Sequence, residues 1–97
     1  MKIVLICNAG MSTSMLVQKM RAEAEKKGIA CTIEAHSVTE AEGQKDASVV
    51  LLGPQIRYEL ERIKTLLMPI PVLCIDSVAY GMMDANKVLN QAMEAVH

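Results

Sequence analysis

Cys7 is followed directly by Asn8, Ala9, Gly10, Met11, Ser12, Thr13 and Ser14. This run sets a sulfur nucleophile beside a glycine and three hydroxyls. It joins an apolar segment, residues 2–7, to one of helical periodicity, so its backbone N–H groups are expected to converge above a strand end. Gly10 permits the unusual backbone angles that such a cradle needs. An anion held there meets unpaired N–H groups and the positive end of a helix dipole, and Ser12, Thr13 and Ser14 add hydroxyls. A phosphoryl group fits that chemistry. The thiolate is the nucleophilic form of cysteine, and the same donors favour it. A buried strand-end thiol beside an ordinary helix cap is the bland alternative for any one cysteine. The coincidence of cysteine, glycine and three hydroxyls at one junction favours chemistry without choosing a reaction.

Gly53, Pro54 and Gln55 follow the third apolar run and are expected at the same edge, where Gln55 either touches the loop or a partner or simply starts a helix. His36 also lies near a strand end, where it either relays phosphate or, as the favoured reading, is a solvated loop histidine. Cys31 and Cys74 read as structural core thiols. Three cysteines without Cys-x-x-Cys spacing indicate neither a disulfide framework nor a zinc site, and no metal or cofactor is expected. The eight methionines mostly follow helical core spacing. Met11, in the loop, is read equally as core or as a soft contact to partner proteins.

Four apolar runs, residues 2–7, 30–35, 48–52 and 72–75, have the length and β-branched content of buried parallel strands. Between the first two, Met11, Met15 and Lys19, and beside them Leu16, Met20 and Ala24, recur at helical spacing up to a C-cap at Gly28. Ile56, Leu60, Ile63 and Leu67 mark a second helix that Pro69 and Pro71 stop. Asp84 is placed to cap a third, with Val88, Leu89, Ala92, Met93 and Val96 on one face. In residues 36–47, Ser37 and Thr39 are suited to start a short helix that Gly43 interrupts. Strands alternating with helices predict an α/β fold, a doubly wound parallel sheet covered on both faces. Ligands of such sheets bind beyond the carboxyl ends of the strands, and Cys7 ends the first.

The 97 residues suit one domain spanning 1–97. A net charge of -1 and two aromatics, both Tyr, argue against a nucleic-acid surface. The apolar runs fall far short of the roughly 20 residues that span a bilayer. The first residues lack the pattern of a secretory signal, so a cytoplasmic address is expected.

Nearly the whole chain resembles the IIB proteins of the lactose and cellobiose branch of the bacterial phosphoenolpyruvate-dependent phosphotransferase system. The resemblance runs through Cys7 with Ala9-Gly10-Met11-Ser12-Thr13-Ser14, Ile33-Glu34-Ala35, the stretch from Val49 to Ile56, Ile75-Asp76-Ser77 and Tyr80-Gly81. It implies a four-stranded parallel sheet with helices on both faces. It also implies that Cys7 takes phosphate from a phosphohistidine of a IIA partner and passes it to a sugar entering through a membrane IIC partner, the sugar being of β-glucoside, cellobiose, chitobiose or lactose type. Asn8 to Ser14 would then hold the phosphate. Low-molecular-weight tyrosine phosphatases and arsenate reductases are similar in loop position and nucleophile, but their pattern is Cys-x5-Arg. Here Thr13 stands at the arginine position, so no guanidinium clamps the phosphate.

Overall fold

Ile3, Val4, Leu5, Ile6 and Cys7 are consecutive and all buried, as a central strand covered on both faces requires. They belong to β1 (Lys2–Cys7), followed by α1 (Gly10–Lys26), β2 (Thr32–Ser37), β3 (Val49–Leu52), α2 (Leu60–Leu67), β4 (Val72–Cys74), α3 (Ser77–Gly81) and α4 (Ala85–Ala95). Short 3-10 turns occupy Val38–Gly43 and Pro54–Glu59. The computed structural model describes residues 1–8 and 10–96, with the side chains of residues 10–12 outside that description. The four strands form one sheet in the order β2-β1-β3-β4, every pair parallel.

Alternate residues of β1 serve two cores. Ile3 and Leu5 pack with Leu16, Val17 and Met20 of α1 and Val88, Leu89 and Ala92 of α4. Val4 and Ile6 pack with Ile56, Ile63 and Leu67 on the opposite face. Each fully buried aliphatic side chain contributes about 1.5–3 kcal/mol, so both layers hold the sheet. The chain leaves β1 toward one face and β3 toward the other. Their carboxyl ends, adjacent in the sheet, therefore border a crevice.

Gly28 has φ +71, and the Gly28 and Ile29 N–H groups bond back to the carbonyls of Glu25 and Ala24 at 3.1 and 2.9 Å. These bonds close α1 at the glycine expected to cap it. β2 begins and ends two residues later than its apolar run, because its extent is set by pairing along all of β1, from Lys2 with Thr32 to Cys7 with Ser37. Asp84 caps α4 as expected, accepting from the Lys87 N–H at 3.2 Å. Leu60, Ile63 and Leu67 lie on α2. Ile56 is buried in the preceding turn, where its φ of -117 and ψ of 28 break the helix.

Candidate functional site

Only two residues separate the end of β1 from the start of α1. Five members of the expected loop, Gly10 to Ser14, are thus the opening turns of the helix. The first four N–H groups of an α-helix have no intrahelical acceptor, and here they begin beside the strand end that carries Cys7. Thr13 falls back over that strand end. Its Oγ1 donates to Cys7 Sγ at 2.8 Å and shares a 3.0 Å hydrogen bond with the Tyr80 hydroxyl. Cys7 is 4% exposed and Thr13 1%, so the bond to sulfur lies beneath the surface.

Tyr80 reaches this point from α3, a five-residue helix that periodicity does not reveal. Asp76 caps α3 by accepting from the Ala79 N–H at 3.0 Å. Gln91 of α4 ties the same corner, donating to the Cys74 carbonyl at 2.8 Å and accepting from the Asp76 N–H at 3.3 Å.

Gly53, directly after β3, closes on the Cys7 β-carbon. The Gly53 N–H bonds the Ile6 carbonyl at 2.9 Å, and a β-carbon at Gly53 would stand 3.3 Å from Cys7 Cβ and 3.0 Å from Gln55 Oε1. Gln55 therefore folds back over Gly53, alongside Cys7, while its residue remains exposed. Pro54 opens the turn that follows.

A cavity of about 120 Å³ opens beside the sulfur, lined by Cys7, Ser14, Ala35, His36, Ser37 and Glu40. His36 is half-buried there. It bonds Glu34 Oε1 through Nε2 at 2.9 Å and faces Glu40 Oε1 through Nδ1 at 3.5 Å. The His36 hydrogen bond, with Lys2 beyond it, holds the Glu34 carboxyl below the usual carboxylate value despite partial loss of solvent. Glu40 is held low first by the Ser37 backbone N–H, at 2.9 Å, and then by the charge of His36. Ser37 and Glu40 form a capping box that starts the turn suspected in residues 36–47.

Cys7, Thr13, Ser14, Gly53 and Gln55 thus gather at one edge. Asn8 is exposed between β1 and α1. Ala9 and the side chains of Met11 and Ser12 lie outside the described residues. His36 lies closer to the chemistry than a solvated loop histidine. Cys31 sits just before β2 rather than opening it, and Cys74 ends β4; both are half-buried beside the cores. Among the described methionine side chains only Met20 is fully buried, while Met15, Met68 and Met82 are 54%, 70% and 73% exposed. Helical spacing tells which side chains share a face, not which face is covered. Tyr80, Ser37 and Glu40 are not site residues by sequence: Tyr80 stands there only within the Tyr80-Gly81 pair of the resemblance, and Ser37 only as a helix start. No helix among the described residues is long and apolar enough to cross a membrane.

Residues 2–91 match the family model for the lactose/cellobiose-specific IIB subunit of the phosphotransferase system. The chain is 41% identical over 96 residues to the oligo-beta-mannoside-specific EIIB component of Bacillus subtilis (strain 168), covering 95% of this chain and 92% of that one. It superposes on the cellobiose-specific IIB component of Borrelia burgdorferi with a TM-score of 0.81 at 43% identity, over 99% of this chain and 91% of that one. The lactose-specific IIB domain of Streptococcus pneumoniae gives a TM-score of 0.87 over 100% and 98% of the two chains, and at 14% identity it speaks for the fold alone.

Proposed function

The chain belongs to the lactose/cellobiose-specific IIB family of the sugar phosphotransferase system, and from that premise we propose that Cys7 is the atom-bearing residue of its phosphoryl relay. In the first step Cys7 Sγ attacks the phosphorus of a phosphohistidine on a IIA protein. The P–N bond breaks and its electron pair stays on the imidazole nitrogen. In the second a sugar hydroxyl oxygen, presented by the membrane IIC protein, attacks the phosphorus and gives up its proton to solvent, the S–P bond breaks and the pair returns to sulfur. Such transfer depends chiefly on alignment and charge stabilisation, so one shaped edge serves both partners in turn.

The observation that carries this reading is the 2.8 Å bond from the Thr13 hydroxyl to Cys7 Sγ beneath the start of α1. A buried hydroxyl directed at sulfur stabilises negative charge on that atom, the charge that returns to it when the S–P bond breaks. The N–H groups at the start of α1 suit the phosphoryl oxygens, and the phosphate-holding role expected of Asn8, Ala9, Gly10, Met11, Ser12 and Ser14 belongs to the same proposal. Gly53, Pro54 and Gln55 form the adjoining wall where a partner docks. The sugar is a β-glycoside of the cellobiose, chitobiose or lactose kind, and the work is done in the cytoplasm.

Labelled phosphate supplied through a phosphorylated IIA protein tests the assignment. Cys7→Ser is expected to lose acceptance, whereas Cys31→Ser and Cys74→Ser keep it. Undiminished labelling of Cys7→Ser would overturn the proposal.

A further inference from the structure

We infer that Tyr80 is a positioning residue for the Cys7 sulfur, acting through Thr13 by fixing the direction in which the threonine hydroxyl donates. The inference deepens the carrier reading and rests on it only for the transfer step.

Three side chains stand in series: Tyr80 hydroxyl to Thr13 Oγ1 at 3.0 Å, and Thr13 Oγ1 to Cys7 Sγ at 2.8 Å. Thr13 is 1% exposed and Tyr80 9%, so bulk water does not readily substitute for either partner. A threonine hydroxyl has one proton to give, and so does a tyrosine hydroxyl. A thiolate has no proton, and neither does a sulfur bonded to phosphorus. In both working states, then, Thr13 can hold the sulfur only by donating to it. Its proton is committed, and the contact with Tyr80 must be filled by the tyrosine proton. If Tyr80 accepted instead, the Thr13 proton would turn away from sulfur.

Tyr80 is well held for this task. Its ring belongs to the core with Val88 and Leu89. Its backbone N–H bonds the Asp76 carbonyl at 2.9 Å, and Asp76 also caps its helix. When the acceptor oxygen attacks phosphorus, the S–P pair moves onto sulfur. The hydrogen bond from the Thr13 hydroxyl to sulfur, already aimed, strengthens as that charge develops. Without the tyrosine proton the threonine hydroxyl has a competing orientation.

Tyr80→Phe removes the hydroxyl and keeps the ring. Alkylation of Cys7 by iodoacetamide at fixed neutral pH, followed on the Cys7 peptide by mass spectrometry, is compared in the unaltered protein, Tyr80→Phe, Thr13→Val and the double variant. Tyr80→Phe is expected to slow alkylation roughly twofold to fivefold, the effect of weakening one hydrogen bond to a thiolate, part of which is regained as higher nucleophilicity. Thr13→Val should slow it at least as much, and the double variant should match Thr13→Val. A Tyr80→Phe rate equal to that of the unaltered protein overturns the inference, as does equal slowing in both backgrounds. Thr13→Ala completes the cycle if Thr13→Val does not fold. No phosphate takes part, so a failed cycle refutes the relay while the labelling of Cys7 independently decides the carrier reading.

Discussion

Replacing Gly53 by alanine tests whether the end of β3 packs against Cys7. Gly53 has φ -59 and ψ 146, which alanine adopts without strain, and the lost flexibility of the unfolded chain favours the variant by about 0.4–1 kcal/mol. Against this, the new β-carbon would stand 3.0 Å from Gln55 Oε1 and 3.3 Å from Cys7 Cβ. The exposed Gln55 amide swings aside at little cost. Cys7 yields less easily, because it ends the central strand and the Gly53 N–H is tied to the Ile6 carbonyl at 2.9 Å. Overpacking of this kind costs about 1–3 kcal/mol. The net loss is then about 1 kcal/mol, or about 4–8 °C in Tm for a domain of this size. Displacing the Cys7 side chain from its rotamer costs about 0.5–1.5 kcal/mol, so phosphoryl acceptance should slow roughly twofold to tenfold. Gly43→Ala is the control, since a β-carbon there meets nothing within 4 Å. Thermal melts and the rate of labelling from a phosphorylated IIA protein read both effects. If Gly53→Ala matched Gly43→Ala in stability and in rate, the packing of β3 against Cys7 would be refuted.

Thr13 gives sulfur a neutral hydrogen bond where the Cys-x5-Arg pattern of phosphatases sets a cation, so turnover of p-nitrophenyl phosphate is expected to be negligible and phosphorylated Cys7 long-lived enough to isolate. Robust phosphatase turnover would contradict this. Glu34, Glu40 and Asp46 are held below the usual carboxylate value by His36, by the Ser37 N–H and by Lys2 respectively. Their stabilisation is complete above about pH 4, the unfolded carboxylate range, and is lost as pH falls through the lower folded values. Lys2 is raised by Asp46, so its share is present below about pH 10.4 and lost above the raised value. Lys2→Met should therefore flatten the fall of Tm on acidification, and an unchanged slope would count against these pairs.

The strands were legible because apolar runs bounded by polar turns mark buried parallel strands, and Cys7 was legible because it ends one. The limits of β2 were not, since pairing with β1 rather than apolar content decides them. The cap at Gly28 could be read locally, because a left-handed residue after a helix favours glycine. The Thr13–Tyr80 contact spans 67 positions and rests on a helix of five residues, too short to display a period. The sulfur-directed threonine was hidden for a related reason: sequence placed Thr13 among phosphate-binding hydroxyls, and only the start of α1 so soon after β1 turns it onto Cys7. Likewise a strand-end position marks His36 as solvated by sequence, whereas the turn at Val38–Gly43 brings Glu40 back over it.

The most direct test of the central claim is to incubate the protein with a IIA partner phosphorylated on histidine, measure its intact mass, and map the modified residue by peptide mass spectrometry. One added phosphoryl group is expected, on Cys7, discharged when IIC and a β-glycoside are supplied. Phosphate on any other residue, or none from a donor known to be phosphorylated and competent, would contradict it.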